Sequence, residues 1–142
     1  MKRVLITGVT GYIGAQLTKT LSASCSVYGL VRQPLNEVYL PPELQEKVTL
    51  LPYDGSIRSV QSALKASRPE VVYHLAAHYT TAHDMSVLPR LLEGNLILGA
   101  FLLEAMCAAQ CYRLVYAATV TTHNTGGAYQ PLSLYAATKQ AF

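Results

Sequence analysis

Apolar residues fall into short unbroken runs, separated by stretches in which they recur at helical spacing. Val4 to Ile6 is one such run, closed by a glycine loop, and Tyr12 to Leu21 then carries Ile13, Leu17 and Leu21 on one helical face. A second run, Val27 to Val31, ends at Arg32, and Gln33-Pro34 opens a polar connection containing Pro41-Pro42. Val48 to Leu51 reads as a third strand, Ile57 to Leu64 as a helix and Val71 to Ala77 as a fourth strand. A long helix is predicted over about Leu88 to Ala109, with Leu92, Leu96, Phe101, Leu102 and Met106 facing the core. Leu114 to Ala118 reads as a fifth strand, and a helix begins near Ser133.

Strands that alternate with helices predict an α/β fold, a doubly wound parallel sheet of Rossmann type with right-handed crossovers and helices on both faces. No internal repeat, low-complexity tract or linker interrupts the alternation. Tyr135 to Phe142 still reads as helix interior with no C-cap glycine. Five strands are also fewer than the six or more of a complete doubly wound nucleotide domain. The expectation is one incomplete domain over residues 1–142, cut after its last helix begins, with further strands and a substrate domain outside it.

Half of the 142 residues are hydrophobic and 13% are charged, which excludes a disordered chain and suits strands buried on both faces. A net charge of +3 without a long run of Lys or Arg implies no nucleic-acid partner. Cys25, Cys107 and Cys111 form an odd set without CxxC or Cys/His spacing, so no metal is expected and a reducing, cytoplasmic setting fits. Cys107 and Cys111, four apart on the predicted helix, read as packing residues. The apolar stretch in MKRVLITG breaks at Thr7-Gly8, too short for a signal segment or a membrane span, so no membrane partner is expected.

Thr7-Gly8-Val9-Thr10-Gly11-Tyr12-Ile13-Gly14 follows directly on the first strand. Glycines at 8, 11 and 14 allow a tight turn, close approach of backbone to a pyrophosphate, and close packing of helix on sheet. The helix N-terminus adds unpaired N–H groups and a positive dipole end. Residues 1–142 are therefore read as an NAD(P)-binding domain. A carboxylate at the end of the second strand would bind a ribose 2′-hydroxyl and repel a 2′-phosphate. Arg32 stands there, with Glu37 as the nearest acid, so NADP is favoured and NAD remains open; a solvated surface arginine is the simpler alternative. Asp54 follows the third strand, either accepting from an adenine amino group or forming a turn or N-cap before the next helix.

With these residues in view, the chain resembles the extended short-chain dehydrogenase/reductases, the NAD-dependent epimerase/dehydratase group. The resemblance spans the whole chain and rests on TGVTGYIG at 7–14, Asp54, HLAA at 74–77, NLILGAFLLEA at 95–105 and YAATK at 135–139. It implies an NAD(P)-dependent oxidoreductase or epimerase acting on a nucleotide sugar, homodimeric at full length. Carried onto this chain, the cofactor would be held by Gly8, Thr10, Gly11, Tyr12, Ile13, Gly14, Arg32, Asp54, Gly55, Leu75, Ala76, Ala77 and Asn95, together with Tyr135 and Lys139. Ala76 and Ala77 would be small because the cofactor lies close, and Asn95 would order the site near the nicotinamide.

Tyr135 and Lys139 are four apart at the start of a helix, so both emerge on one face. A phenol is a poor base at neutral pH, and a nearby ammonium is expected to lower its pKa. The pair can then take a proton from a sugar hydroxyl or give one to a ketone as hydride moves. Thr119 matches the family's serine or threonine that hydrogen-bonds the reacting oxygen, with Thr121 and Thr122 as alternatives or simply loop residues. The sugar 4,6-dehydratases place Asp-Glu after this threonine, but Val120-Thr121 follows here, which disfavours dehydration. The Val-Tyr-Gly common in 4-epimerases is also absent, so the loop looks more like that of 4-ketoreductases and epimerases of deoxygenated nucleotide sugars. A reductase of small aldehydes or ketones, and a non-catalytic NADP-binding regulatory module, are the rivals. His74 reads as a hydrogen-bonded core residue, and His78 and His83 as residues of the loop over the cofactor, with substrate contact as their alternative reading.

Overall fold

The computed structural model describes residues 1–32, 34–123 and 126–142. Its elements in chain order are β1 (Lys2–Thr7), α1 (Tyr12–Leu21), β2 (Cys25–Arg32), the short α2 (Pro42–Gln45), β3 (Val48–Tyr53), α3 (Ile57–Ser67), β4 (Val71–His74), α4 (Leu88–Leu92), α5 (Leu98–Ala108), β5 (Leu114–Tyr116) and α6 (Leu134–Ala141). A turn of π-helix, Glu93–Ile97, joins α4 to α5. The five strands form one parallel sheet in the order β3-β2-β1-β4-β5. Chain order reverses between β1 and β4, the switch point at which such sheets open a crevice beyond their strand ends.

One compact unit, residues 1–76 and 101–116, contains the whole sheet. Val4, Ile6, Val9, Val27, Val31, Leu40 and Val48 form its core cluster, with Leu17 and Leu21 of α1 packed against it. Leu5 lies outside that cluster and is also fully buried. β1 is thus covered on both faces, which is why its sequence is a continuous apolar run rather than an alternation. The second unit, residues 77–100 and 117–142, carries the chemistry suggested by the C-terminal motifs.

The short helix α2 lies in the expected polar connection, β3 and α3 run further than expected, to Tyr53 and Ser67, and three more elements differ near the site. β4 ends at His74 rather than Ala77, because the Ala76 N–H turns to the Thr7 hydroxyl (3.1 Å) instead of continuing the ladder. β5 stops at Tyr116 rather than Ala118, since its partner in register, His74, is the last residue of β4. The long helix is interrupted by the π turn, and Leu92 lies at the surface while Leu91, Asn95, Leu98, Leu102 and Met106 are buried. A polar residue in the buried stripe hid the true phase from an apolar pattern. Met85–Ala108 is apolar and long enough to cross a membrane, and 44% of its most apolar 18-residue window is packed inside the protein.

Candidate functional site

In the first unit, each glycine of the loop after β1 has its own reason. Gly8 sits at φ +74°, and a Cβ on it would lie 2.7 Å from the Ala76 backbone nitrogen. A Cβ on Gly14 would overlap the Gly8 carbonyl. Gly11 donates to Gly8 O (3.0 Å) and caps α1 without any side-chain hydrogen bond, and no acid stands in that helix's first turn. Thr10, Tyr12 and Ile13 are exposed around this uncapped N-terminus. The arrangement fits an anionic pyrophosphate. Leu75 and Ala76 are half-buried, and Thr7 bonds His74 Nδ1 at 2.7 Å, with His74 wholly buried as expected. The close approach of the Ala76 backbone explains why residue 8 must lack a Cβ.

Arg32 closes β2, in register with Tyr53, and is exposed. Asp54 accepts from the backbone N–H (2.9 Å) and the hydroxyl (2.7 Å) of Ser56, both at Oδ1. The Ser56 hydroxyl, then its backbone N–H, then Ser59 hold the carboxyl at a pKa of about 2. Asp54 thus builds the turn before α3, as its simpler reading had it, and Ser56 caps the helix. Gly55 follows at φ +91°, a left-handed position that suits glycine.

In the second unit, a cleft of about 390 Å³ is lined by Tyr79, Thr80, Thr81, His83, Thr119, Thr121, Leu132, Ser133 and Tyr135. Thr119 and Tyr135 both line this cleft. Thr119 Oγ1 accepts from the Thr121 N–H (3.3 Å) and shares a 2.9 Å hydrogen bond with Thr121 Oγ1. The Thr122 hydroxyl donates instead to the Thr119 carbonyl (3.1 Å), and Thr122 is buried, so it serves the turn. Ser133 caps α6 by accepting from the Ala136 N–H at 3.1 Å, which sets Tyr135 in the first turn and Lys139 one turn later.

Lys139 is 4% exposed, and desolvation brings its pKa down to about 8. The Tyr135 phenol is shifted up, first by burial and second by Tyr79. The lowering expected from Lys139 is therefore not what the protein alone produces: burial penalises the phenolate, and Tyr79 adds to the upward shift. Asn95, 1% exposed, accepts the His78 N–H at 2.7 Å and donates to the His78 carbonyl at 3.1 Å. Gly94 beside it leaves room for that loop, since a Cβ there would press on His78. Ala77 is exposed ahead of it. His78 is held through its backbone, and His83 reaches the cleft.

Sequence reasoning did not single out Tyr79, Thr80 and Thr81, although the hydroxyl-rich string after HLAA is a visible signal. Among the described residues, no group of three or more His, Cys, Asp or Glu is placed to hold a metal.

The chain is similar to two epimerases and to a protein solved with a nucleotide sugar. It is 29% identical over 94 residues to a dTDP-L-rhamnose 4-epimerase of Burkholderia thailandensis, an alignment covering 63% of this chain and 26% of that protein. A UDP-glucose 4-epimerase of Thermus thermophilus solved with NAD matches at 28% identity and TM-score 0.75, over 98% of this chain and 48% of that one. MoeE5, solved with UDP-glucose and NAD, matches at 28% identity and TM-score 0.75, over 98% and 46%. The chain thus spans about half the length of these solved structures and a quarter of the dTDP-L-rhamnose 4-epimerase. Residues 4–142 match the pattern of the NAD dependent epimerase/dehydratase family, and the chain belongs to that family.

Proposed function

We propose that residues 1–142 are the NAD(P)-binding domain of a cytoplasmic enzyme that moves hydride at a carbon of a nucleotide-linked sugar, reducing a 4-ketone or epimerising through one. The observation that carries this reading is the shared cleft of Thr119 and Tyr135, whose lining is rich in hydroxyls suited to a sugar. The relatives described above act on or were solved with nucleotide sugars, and two were solved with NAD. The uncapped N-terminus of α1 and the glycine loop would hold the dinucleotide's pyrophosphate, and the bound nicotinamide would supply or accept the hydride.

Tyr135 exchanges a proton with the reacting oxygen, and the Thr119 hydroxyl donates to the same oxygen as charge develops on it. With its pKa raised, Tyr135 stays protonated at neutral pH, so the direction it serves without prior ionisation is proton donation to a ketone. Lys139, at about 8, is still mostly charged at pH 7 and supports the proton's return. The absence of Asp-Glu after Thr119 leaves no additional acid and base there for elimination.

Full-length protein should be assayed with UDP- and TDP-hexoses and their 4-keto derivatives, following nicotinamide absorbance and sugar NMR. Ketone reduction or interconversion of C4 epimers is expected. Turnover of small aldehydes alone would move the reading to the rival reductase, and tight cofactor binding with no turnover would overturn catalysis.

A further inference from the structure

The hydrogen-bond roles around Asn95 are forced by chemistry. A backbone N–H only donates and a carbonyl only accepts, so the two His78 contacts fix which side-chain atom of Asn95 is oxygen and which nitrogen. The amide nitrogen then has one remaining proton, and it goes to Thr138 Oγ1 at 3.0 Å. An amide nitrogen is only a donor, so Thr138 must accept here and spend its own proton on the Tyr135 carbonyl at 2.9 Å. Thr138 is 6% exposed and Asn95 1%, so water does not compete for these bonds.

We infer that Thr138 is a positioning residue that ties the loop carrying Tyr79, Thr80 and Thr81 to the turn of α6 carrying Tyr135. The chain of bonds runs from the His78 backbone through Asn95 and Thr138 to the residue proposed to transfer the proton. Each link has a single allowed direction, so removing the Thr138 hydroxyl breaks two bonds at once and leaves a buried amide proton unsatisfied. The wide π turn at Glu93–Ile97 sets Asn95 among buried positions, the kind of local irregularity that recurs at functional sites. This role rests on the proposed proton transfer at Tyr135, but the linkage itself is testable without a substrate.

The test compares full-length protein with Thr138→Val, which keeps the shape, and Thr138→Ser, which keeps the hydroxyl; Thr138→Ala replaces the valine variant if that does not fold. Amide hydrogen exchange at His78 is expected to quicken by roughly two- to tenfold in the valine variant, the worth of one ordinary hydrogen bond. Serine should restore the slow rate, and amides of β1 should not change. In turnover assays kcat should fall by at least about tenfold in the valine variant while cofactor KM holds, with serine again restoring it. Unchanged His78 exchange, or equal acceleration of the β1 amides, overturns the linkage. Quickened His78 exchange with unchanged kcat overturns the positioning role, and absent turnover in the unaltered protein is a failure of the proposed function that leaves the exchange result standing.

Discussion

Tyr79 and Tyr135 meet edge to face, their ring centroids 5.1 Å apart and their planes at 82°. Burial first, and the charge of neighbouring Tyr79 second, raise the phenol pKa of Tyr135, while burial brings Lys139 down to about 8. The two members of the pair are thus shifted toward their neutral forms, as desolvation requires of an acid and a base of opposite charge.

Lys139 makes stability depend on pH in a definite sense. Its folded pKa of about 8 lies below the ordinary 10.5, so between those values the unfolded chain holds more protons and stability rises with pH. Below about pH 8 the cost of burying the charge is present in full. Denaturant melts of the protein and of Lys139→Met should show the unaltered protein gaining on the variant as pH rises from 8 to 10.5. A difference that stays flat across that window would mean Lys139 is not desolvated.

Gly14→Ala should destabilise the first unit more than an exposed-helix change of the same kind. The added methyl would overlap the Gly8 carbonyl, so backbone must move, and overpacking of this sort costs about 1–3 kcal/mol. The expected result is a lower melting temperature together with weaker cofactor binding, because the displaced carbonyl belongs to the loop itself. An alanine variant as stable as the parent would contradict this packing.

Arg32 is the residue on which a preference between the two nicotinamide cofactors is expected to rest. A guanidinium at the end of β2 meets a 2′-phosphate with charge-assisted bonds worth about 1.5–3 kcal/mol, or roughly ten- to a hundredfold in affinity. NADPH is therefore expected to bind more tightly than NADH, and Arg32→Asp should invert the order. Two of the similar structures were solved with NAD, so both cofactors must be titrated. Equal or tighter NADH binding by the unaltered protein would remove it and leave the fold standing.

The sheet was legible because β1 to β4 are apolar runs bounded by glycine, proline or polar residues, and their order follows from the alternation with helices. The ends of β4 and β5 were not, since a hydroxyl from another strand, Thr7, captures the Ala76 N–H and no local pattern announces it. The glycine loop, His74, Thr119 and Tyr135 lie where motif and spacing put them. Asn95 and Thr138 form a link 43 residues apart in sequence, and Tyr79 reaches Tyr135 across 56 residues. Such partners depend on tertiary placement, and for Asn95 on a π turn that breaks the helical period.

Tyr135→Phe in the full-length protein tests the central claim most directly, because it removes the phenolic hydroxyl and little else. With kcat and cofactor affinity measured together, kcat should fall by roughly a hundredfold to ten-thousandfold, the usual worth of a positioned acid or base, and the cofactor Kd should stay within about threefold. A phenylalanine variant that keeps near-normal kcat would show that the proton comes from elsewhere and would contradict the assignment of Tyr135.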